Sequence, residues 1–209
     1  MKIISGGQTG ADRAALDWAI AHRFEHGGWC PRGRKAEDGP IAPTYELQET
    51  ESADYAVRTR KNVEDSDGTL IVNLGEVDGG TLKTLRIAEK LGKPVHVVQL
   101  GVWPLRFSKR AFGDLAHQTN VWMHKHRIRT LNVAGPRESK RPGIYKAAYR
   151  ILSNAVPQPT SVICNEELER AYEKEHPLTE ADLERLRTPP PRIEIKLPSW
   201  LSPPKGPKR

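Results

Sequence analysis

The sequence predicts an α/β protein, a Rossmann-like three-layer sandwich with a mostly parallel sheet of about five strands, followed by a proline-rich C-terminal extension. Three observations carry this expectation. A short apolar run, a glycine loop and an amphipathic helix follow one another at 2–22 and again at 69–91. The apolar runs 69–74 and 94–100 do not alternate, as befits strands covered on both faces of a parallel sheet. Composition then changes: the last 53 residues hold ten of the chain's 17 prolines. The chain is therefore divided into a Rossmann-like domain over 1–156 and an extension over 157–209, partly helical or disordered.

In order, residues 2–4 form the first strand and 5–10 turn into a helix over 11–22. There Ala11, Ala15, Leu16 and Ala19 share one side, and Arg13 and Asp17 form an i,i+4 pair on another. Segment 27–40 carries glycine, proline and charge throughout, so it holds only a very short strand before a long loop, a kind of loop that is often functional. A charged helix over 54–66 turns Ala56, Val63 and Tyr55 inward and leads to the strand 69–74. A second glycine loop, 75–81, opens a helix over 82–91, where Leu82, Leu85, Ala88 and Leu91 keep helical spacing until Gly92-Lys93-Pro94 stops it. After the buried strand 94–100, a helix covers 108–126, with Ser108 as N-cap and Phe112, Leu115 and Trp122 or Met123 inward. The strand 128–133 runs into a third loop, 132–140, and a helix over 145–156 closes the domain. In the extension, 166–175 and 179–187 read as short helices, the second capped by Thr179. Residues 189–191 and the tail from 198 read as extended or disordered.

No run approaches the roughly 20 apolar residues of a membrane span. The N-terminus opens on a strand rather than a basic and apolar leader, and Cys30 and Cys164 make no disulfide framework. A cytoplasmic protein is expected. The formal charge is +7, and residues 1–156 hold 24 Lys and Arg against 17 Asp and Glu, so the whole surplus lies in the domain. Basic residues stand beside glycines (Arg32, Arg34, Lys35; Arg137, Lys140, Arg141) rather than along one helix. This arrangement suits a compact anion and disfavours nucleic acid. His117, His124 and His126 lack a matching carboxylate or cysteine, which makes them a solvated face rather than a metal site.

In a parallel sheet the loops at the carboxyl ends of the strands meet at one edge. Segments 5–12, 79–84 and 132–139 are expected to share that edge and form one ligand cleft. Gly6, Gly7 and Gly10 let backbone approach a polyanion at a helix N-terminus, with side chains of Ser5, Gln8 and Thr9 beside it. Gly79, Gly80 and Thr81 add backbone donors, and Arg137, with Arg32 or Arg34 arching over, supplies charge-assisted forks. Asp12, Gly135, Glu138 and Ser139 complete the candidate set. Where the dinucleotide fingerprint has an acidic residue for the ribose, this chain has Trp29-Cys30-Pro31-Arg32, so NAD is disfavoured.

Several stretches, in order over roughly 3–150, resemble the molybdenum carrier family. They are Ser5-Gly6-Gly7-Gln8-Thr9-Gly10-Ala11-Asp12, Gly28-Trp29-Cys30-Pro31-Arg32-Gly33-Arg34, Glu37-Asp38-Gly39, Arg58-Thr59 with Asn62-Val63, Gly79-Gly80-Thr81 and Leu131-Asn132-Val133-Ala134-Gly135-Pro136-Arg137-Glu138-Ser139. The resemblance implies kinship with nucleotide-sensing and lonely-guy-like proteins. It also implies non-covalent binding of the molybdenum cofactor, a molybdopterin with a phosphate and a dithiolene-held oxo-metal. Molybdoenzymes, cofactor-synthesis proteins and a second copy of the chain are the partners to expect. The extension lies outside it.

The rival reading is a nucleotide-processing hydrolase. Lonely-guy phosphoribohydrolases follow their glycine loop closely with a glutamate. Here Leu82-Lys83-Thr84-Leu85-Arg86 follows and no carboxylate comes before Glu89, although Asp12 or Glu138 could substitute from other loops. The carrier is favoured and no catalytic residue is assigned. Cys30 is the obvious soft ligand for molybdenum, but a small buried residue at the end of a short strand is the favoured reading, and no metal ligand is assigned.

Overall fold

The computed structural model describes residues 1–101 and 109–157, without the side chains of 109–111. The proposed cap Ser108 and the extension from 158 onward lie outside the described residues. The elements are β1 (Lys2–Ile4), α1 (Ala11–Ala21), β2 (Glu25–Gly27), β3 (Trp29–Cys30), β4 (Lys35–Ala36), β5 (Gly39–Pro40), β6 (Gln48–Glu49), α2 (Tyr55–Glu64), β7 (Gly68–Leu74), α3 (Gly79–Lys90), β8 (Val95–Leu100), α4 (Lys109–Lys125), β9 (Thr130–Ala134) and α5 (Ile144–Ala155).

Five strands form one sheet in the order β2-β1-β9-β7-β8, and every pairing in it is parallel. Counted from β9, this order reads 3-2-1-4-5, the doubly wound arrangement. The chain enters that arrangement at its second strand and supplies the first strand last. The β1–α1–β2 crossover steps one way along the sheet and β7–α3–β8 the other. Right-handed crossovers in opposite directions put their helices on opposite faces, which makes the three layers. On one side α1 and α4 both pack on α5, and elsewhere α2 packs on α3.

All seven residues of β7 are buried, and with β9 and α5 they anchor the main core around Leu70, Val72, Leu131, Ile144 and Ile151. A second cluster joins Leu16, Cys30, Ile41 and Leu47 beneath the 31–47 segment. In three of its elements the path of the chain differs from the sequence expectation. Glu25-His26-Gly27 is a sheet strand although it has no apolar side chain, because its backbone pairs with β1. β8 is an edge strand, so Val95, His96 and Val97 are half-buried and Gln99 is exposed rather than buried. α3 starts at Gly79, three residues early, which brings Gly79, Gly80 and Thr81 into its first turn. No helix among the described residues is long and apolar enough to cross a membrane.

Candidate functional site

Because β1, β7 and β9 run in the same direction, the loops that follow them leave from one edge, as expected. They also touch. The Ala11 N–H donates to the Pro136 carbonyl at 3.4 Å, tying the first loop to the third. Lys140 Nζ lies 2.5 Å from the Asp78 carboxylate, and Arg141 Nε donates to the Leu74 carbonyl at 2.7 Å, tying the third to the second. The reversal in strand order falls between β9 and β7, where an open α/β sheet leaves a crevice.

Within the first loop the protein uses the glycines itself. Gly10 has φ +79° and ψ −130°, and a Cβ there would stand 2.5 Å from the Pro136 carbonyl oxygen and 2.7 Å from the Glu138 nitrogen. A Cβ on Gly6 would collide with the Arg58 guanidinium, which crosses over it from α2. Gly7 faces Leu47, and Gly135 packs against Val72 and Ala11.

Arg58 Nη1 lies 3.0 Å from Asp12 Oδ2, and Asp12 is 3 % exposed. Burial raises the pKa of this carboxyl above its ordinary value, while Arg58 and the Gln8 N–H pull it back. The Gln8 N–H, in the loop just before α1, therefore serves a carboxylate of the protein's own chain. In the first loop and on Arg58, three buried polar atoms have no hydrogen-bond partner: Ser5 Oγ, Gln8 Nε2 and Arg58 Nε. Buried polar groups are ordinarily satisfied, so such a group calls for water, an ion or a ligand.

Above the loops lies the short β4–β5 hairpin. Its Glu37 carboxylate accepts from Thr9 Oγ1, from Ser139 Oγ at 2.5 Å and from the Ser139 N–H at 3.4 Å, with Arg137 Nη1 4.0 Å away. Partial burial would raise the Glu37 pKa, but the bonds from Ser139 and Thr9, with Arg137, hold it below the usual value. The Gln8 Oε1 accepts from the N–H groups of Thr9 and Glu37. Arg137 is 47 % exposed in its side chain and lies 5.5 Å over the Tyr55 ring, which also carries Arg58 at 5.9 Å.

Other expected contributors have partners elsewhere. Arg34 was expected to arch over the ligand. Its guanidinium instead donates to the carbonyls of Ile41, Ala42, Tyr45 and Leu47 at 2.8–3.1 Å and closes the 34–47 loop. Arg32 is exposed in the turn after β3, and its N–H donates to Ser52. Glu138 accepts from the N–H groups of Gly143 and Tyr145 at the start of α5. Arg13 pairs with Asp38 rather than Asp17, which accepts from the hydroxyls of Tyr45 and Tyr145. Tyr55 is exposed, not inward. Cys30 is fully buried in the second cluster, and its burial raises the thiol pKa despite nearby Arg34. Two surface depressions, lined in part by Met1, Phe24 and Met123 and by Lys2, Arg23 and Glu46, border β1 and β2 near their amino ends, away from these loops.

The model of the circularly permutated YpsA SLOG family matches residues 3–156. The chain belongs to this family. The permutation in its description agrees with a sheet whose first strand comes last in the chain. Among solved structures, the chain is similar to the "Putative molybdenum carrier protein" from Syntrophus aciditrophicus SB, at 49 % identity and a TM-score of 0.69, over 75 % of this chain and 94 % of that one. This bears out the resemblance drawn from the motifs. No curated protein matches the chain. Within the family fold, sequence reasoning named Thr9, Arg137 and Ser139 but passed over Glu37 and Arg58 as site residues, although both lie in the stretches that carry the resemblance.

Proposed function

We propose that this protein is a non-covalent carrier of an anionic pterin cofactor, the molybdenum cofactor, held where the three loops meet. The observation that carries the reading is the unpartnered, buried Gln8 Nε2, on the amide that accepts from the Thr9 and Glu37 N–H groups, together with the half-exposed Arg137 fork and the hydroxyls of Thr9 and Ser139 gathered on Glu37. All four are donors, and a phosphate or the oxo end of the metal is an acceptor. Ser5 Oγ and the backbone of Gly6, Gly7 and Gly10 would line the floor, and the first-turn N–H groups of Gly79, Gly80 and Thr81 would close the far side beside Lys140. Asp12 orients Arg58, and Gly135 and Glu138 shape the third loop. The cargo brings the redox chemistry, and these residues bind it and shield it from water.

A hydrolase would need a carboxylate free to meet a developing ribosyl cation. Asp12 is paired with Arg58, and Glu138 is spent on the start of α5. Incubation with purified molybdenum cofactor is expected to slow cofactor oxidation, and incubation with nucleoside monophosphates to release no free base. Base release would overturn the carrier reading. In the same titration, Arg137→Lys keeps the charge but loses the planar fork, and should weaken cofactor binding by about 1–3 kcal/mol. Lys90→Ala, on the exposed side of α3, is the control. Assembly size should be measured alongside, since a second copy could lend a loop to the cleft.

A further inference from the structure

We propose that the Glu37 carboxylate occupies the position of the ligand's anion, so that the β4–β5 hairpin is a latch that the ligand must displace. This rests on the carrier reading. Thr9 Oγ1, Ser139 Oγ, the Ser139 N–H and Arg137 come from two different strand loops and converge on one carboxylate from a third segment. Four donors around one anion form an anion site, and here the protein fills it with its own side chain. A ligand phosphate cannot bond to Thr9 and Ser139 while Glu37 does, and the two negative groups repel at that distance. Glu37 is held below the ordinary carboxylate range, so it is charged at neutral pH and competes as an anion.

The hairpin is built to let go at its tip alone. Its base is fixed by the four carbonyl bonds of Arg34 and by the Ile41 N–H to Arg34 O bond at 2.7 Å. Its tip is held by polar contacts: Glu37 to the loops, the Glu37 N–H to Gln8 Oε1 at 2.9 Å, and Asp38 to Arg13 at 3.2 Å. Ala36 is its apolar contact with the second core cluster, and Gly39 has open space around it. Lifting the tip releases the Gln8 amide, whose Nε2 is already unpartnered and 95 % buried with its residue, so that an incoming anion gains that donor too.

The test uses the full chain, inorganic phosphate as the probe, and the variants Glu37→Gln and Asp38→Asn. Phosphate should speed amide exchange over 35–40 in the unmodified protein. Glu37→Gln should exchange fast there without phosphate and bind phosphate about tenfold tighter, the scale of removing one like charge at a partly exposed site. Asp38→Asn, which loses the tip's contact with Arg13 but leaves Glu37 on the anion position, should speed exchange over 35–40 and bind phosphate more tightly than the unmodified protein but less tightly than Glu37→Gln. Equal or weaker phosphate binding by Glu37→Gln, or phosphate slowing exchange over 35–40, would overturn the latch. If phosphate fails to bind either protein while the molybdenum cofactor binds the unmodified one, the latch falls and the carrier reading stands. If neither probe binds, both fall.

Discussion

Replacing Gly10 with alanine is expected to lower the unfolding midpoint by about 5–15 °C, as a loss of about 2–4 kcal/mol does in a chain of this size. Two costs combine. The backbone at φ +79° and ψ −130° is closed to a side chain without strain, and the added Cβ meets the main chain of 136–138, which has no flexible end to swing aside. The sequence alone suggests that a Cβ here would intrude on a bound phosphate or demand an unfavourable backbone conformation, and that a larger side chain such as valine would abolish binding in a protein that still folds. The structure puts the third loop in that direction, so the damage is to the junction of two loops and reaches binding through it. Gly80→Ala is the control, because nothing lies within 4 Å of its Cβ position and its backbone is helical. Alanine there should leave stability equal or raise it by up to about 1 kcal/mol. Equal thermal unfolding of the two variants would contradict the packing described for Gly10.

Arg58→Met should destabilise the protein by about 3–5 kcal/mol at neutral pH, since it leaves the Asp12 carboxylate buried without its cation. The pH dependence gives the cause. Burial already raises the Asp12 pKa above its unfolded value, and removing Arg58 removes the main opposing influence, so the pKa climbs further. A carboxyl whose folded pKa is raised contributes most stability below its unfolded pKa, and that contribution is lost as pH rises through the folded pKa. The gap between Arg58→Met and the unmodified protein should therefore narrow as pH falls toward 4 and widen toward 7. Adding Asp12→Asn to Arg58→Met should recover part of the loss at pH 7. Denaturant titrations at several pH values measure both effects, and a gap that stays constant with pH would mean that Arg58 acts by packing over Gly6 alone.

The parts of the fold that were legible in the sequence are those where burial and spacing act locally. The unbroken apolar run of β7 and the strongly amphipathic α5 announce themselves, and two glycine loops before helices give the parallel crossovers. What was not legible depends on partners far along the chain. Glu25-His26-Gly27 is a strand only because β1 offers it a backbone ladder. Arg13 and Asp17 have the spacing of a helix pair, but Asp38 and two tyrosine hydroxyls compete for them and win. The same holds at the candidate site. Thr9, Arg137 and Ser139 stand beside glycines at strand ends, which is a local signal. Arg34 looks like a free fork until the carbonyls of 41–47 fold back around it, and Glu37 and Arg58 reach the loops only through tertiary packing.

Binding of the cofactor where the three loops meet is tested most directly by an amide-exchange comparison of the full chain with and without bound molybdenum cofactor. Slowed exchange is expected over 6–10 and 136–140, the loops after β1 and β9. Protection confined to the opposite edge of the sheet, around Phe24 and Met123, with 6–10 and 136–140 unchanged, would contradict binding there.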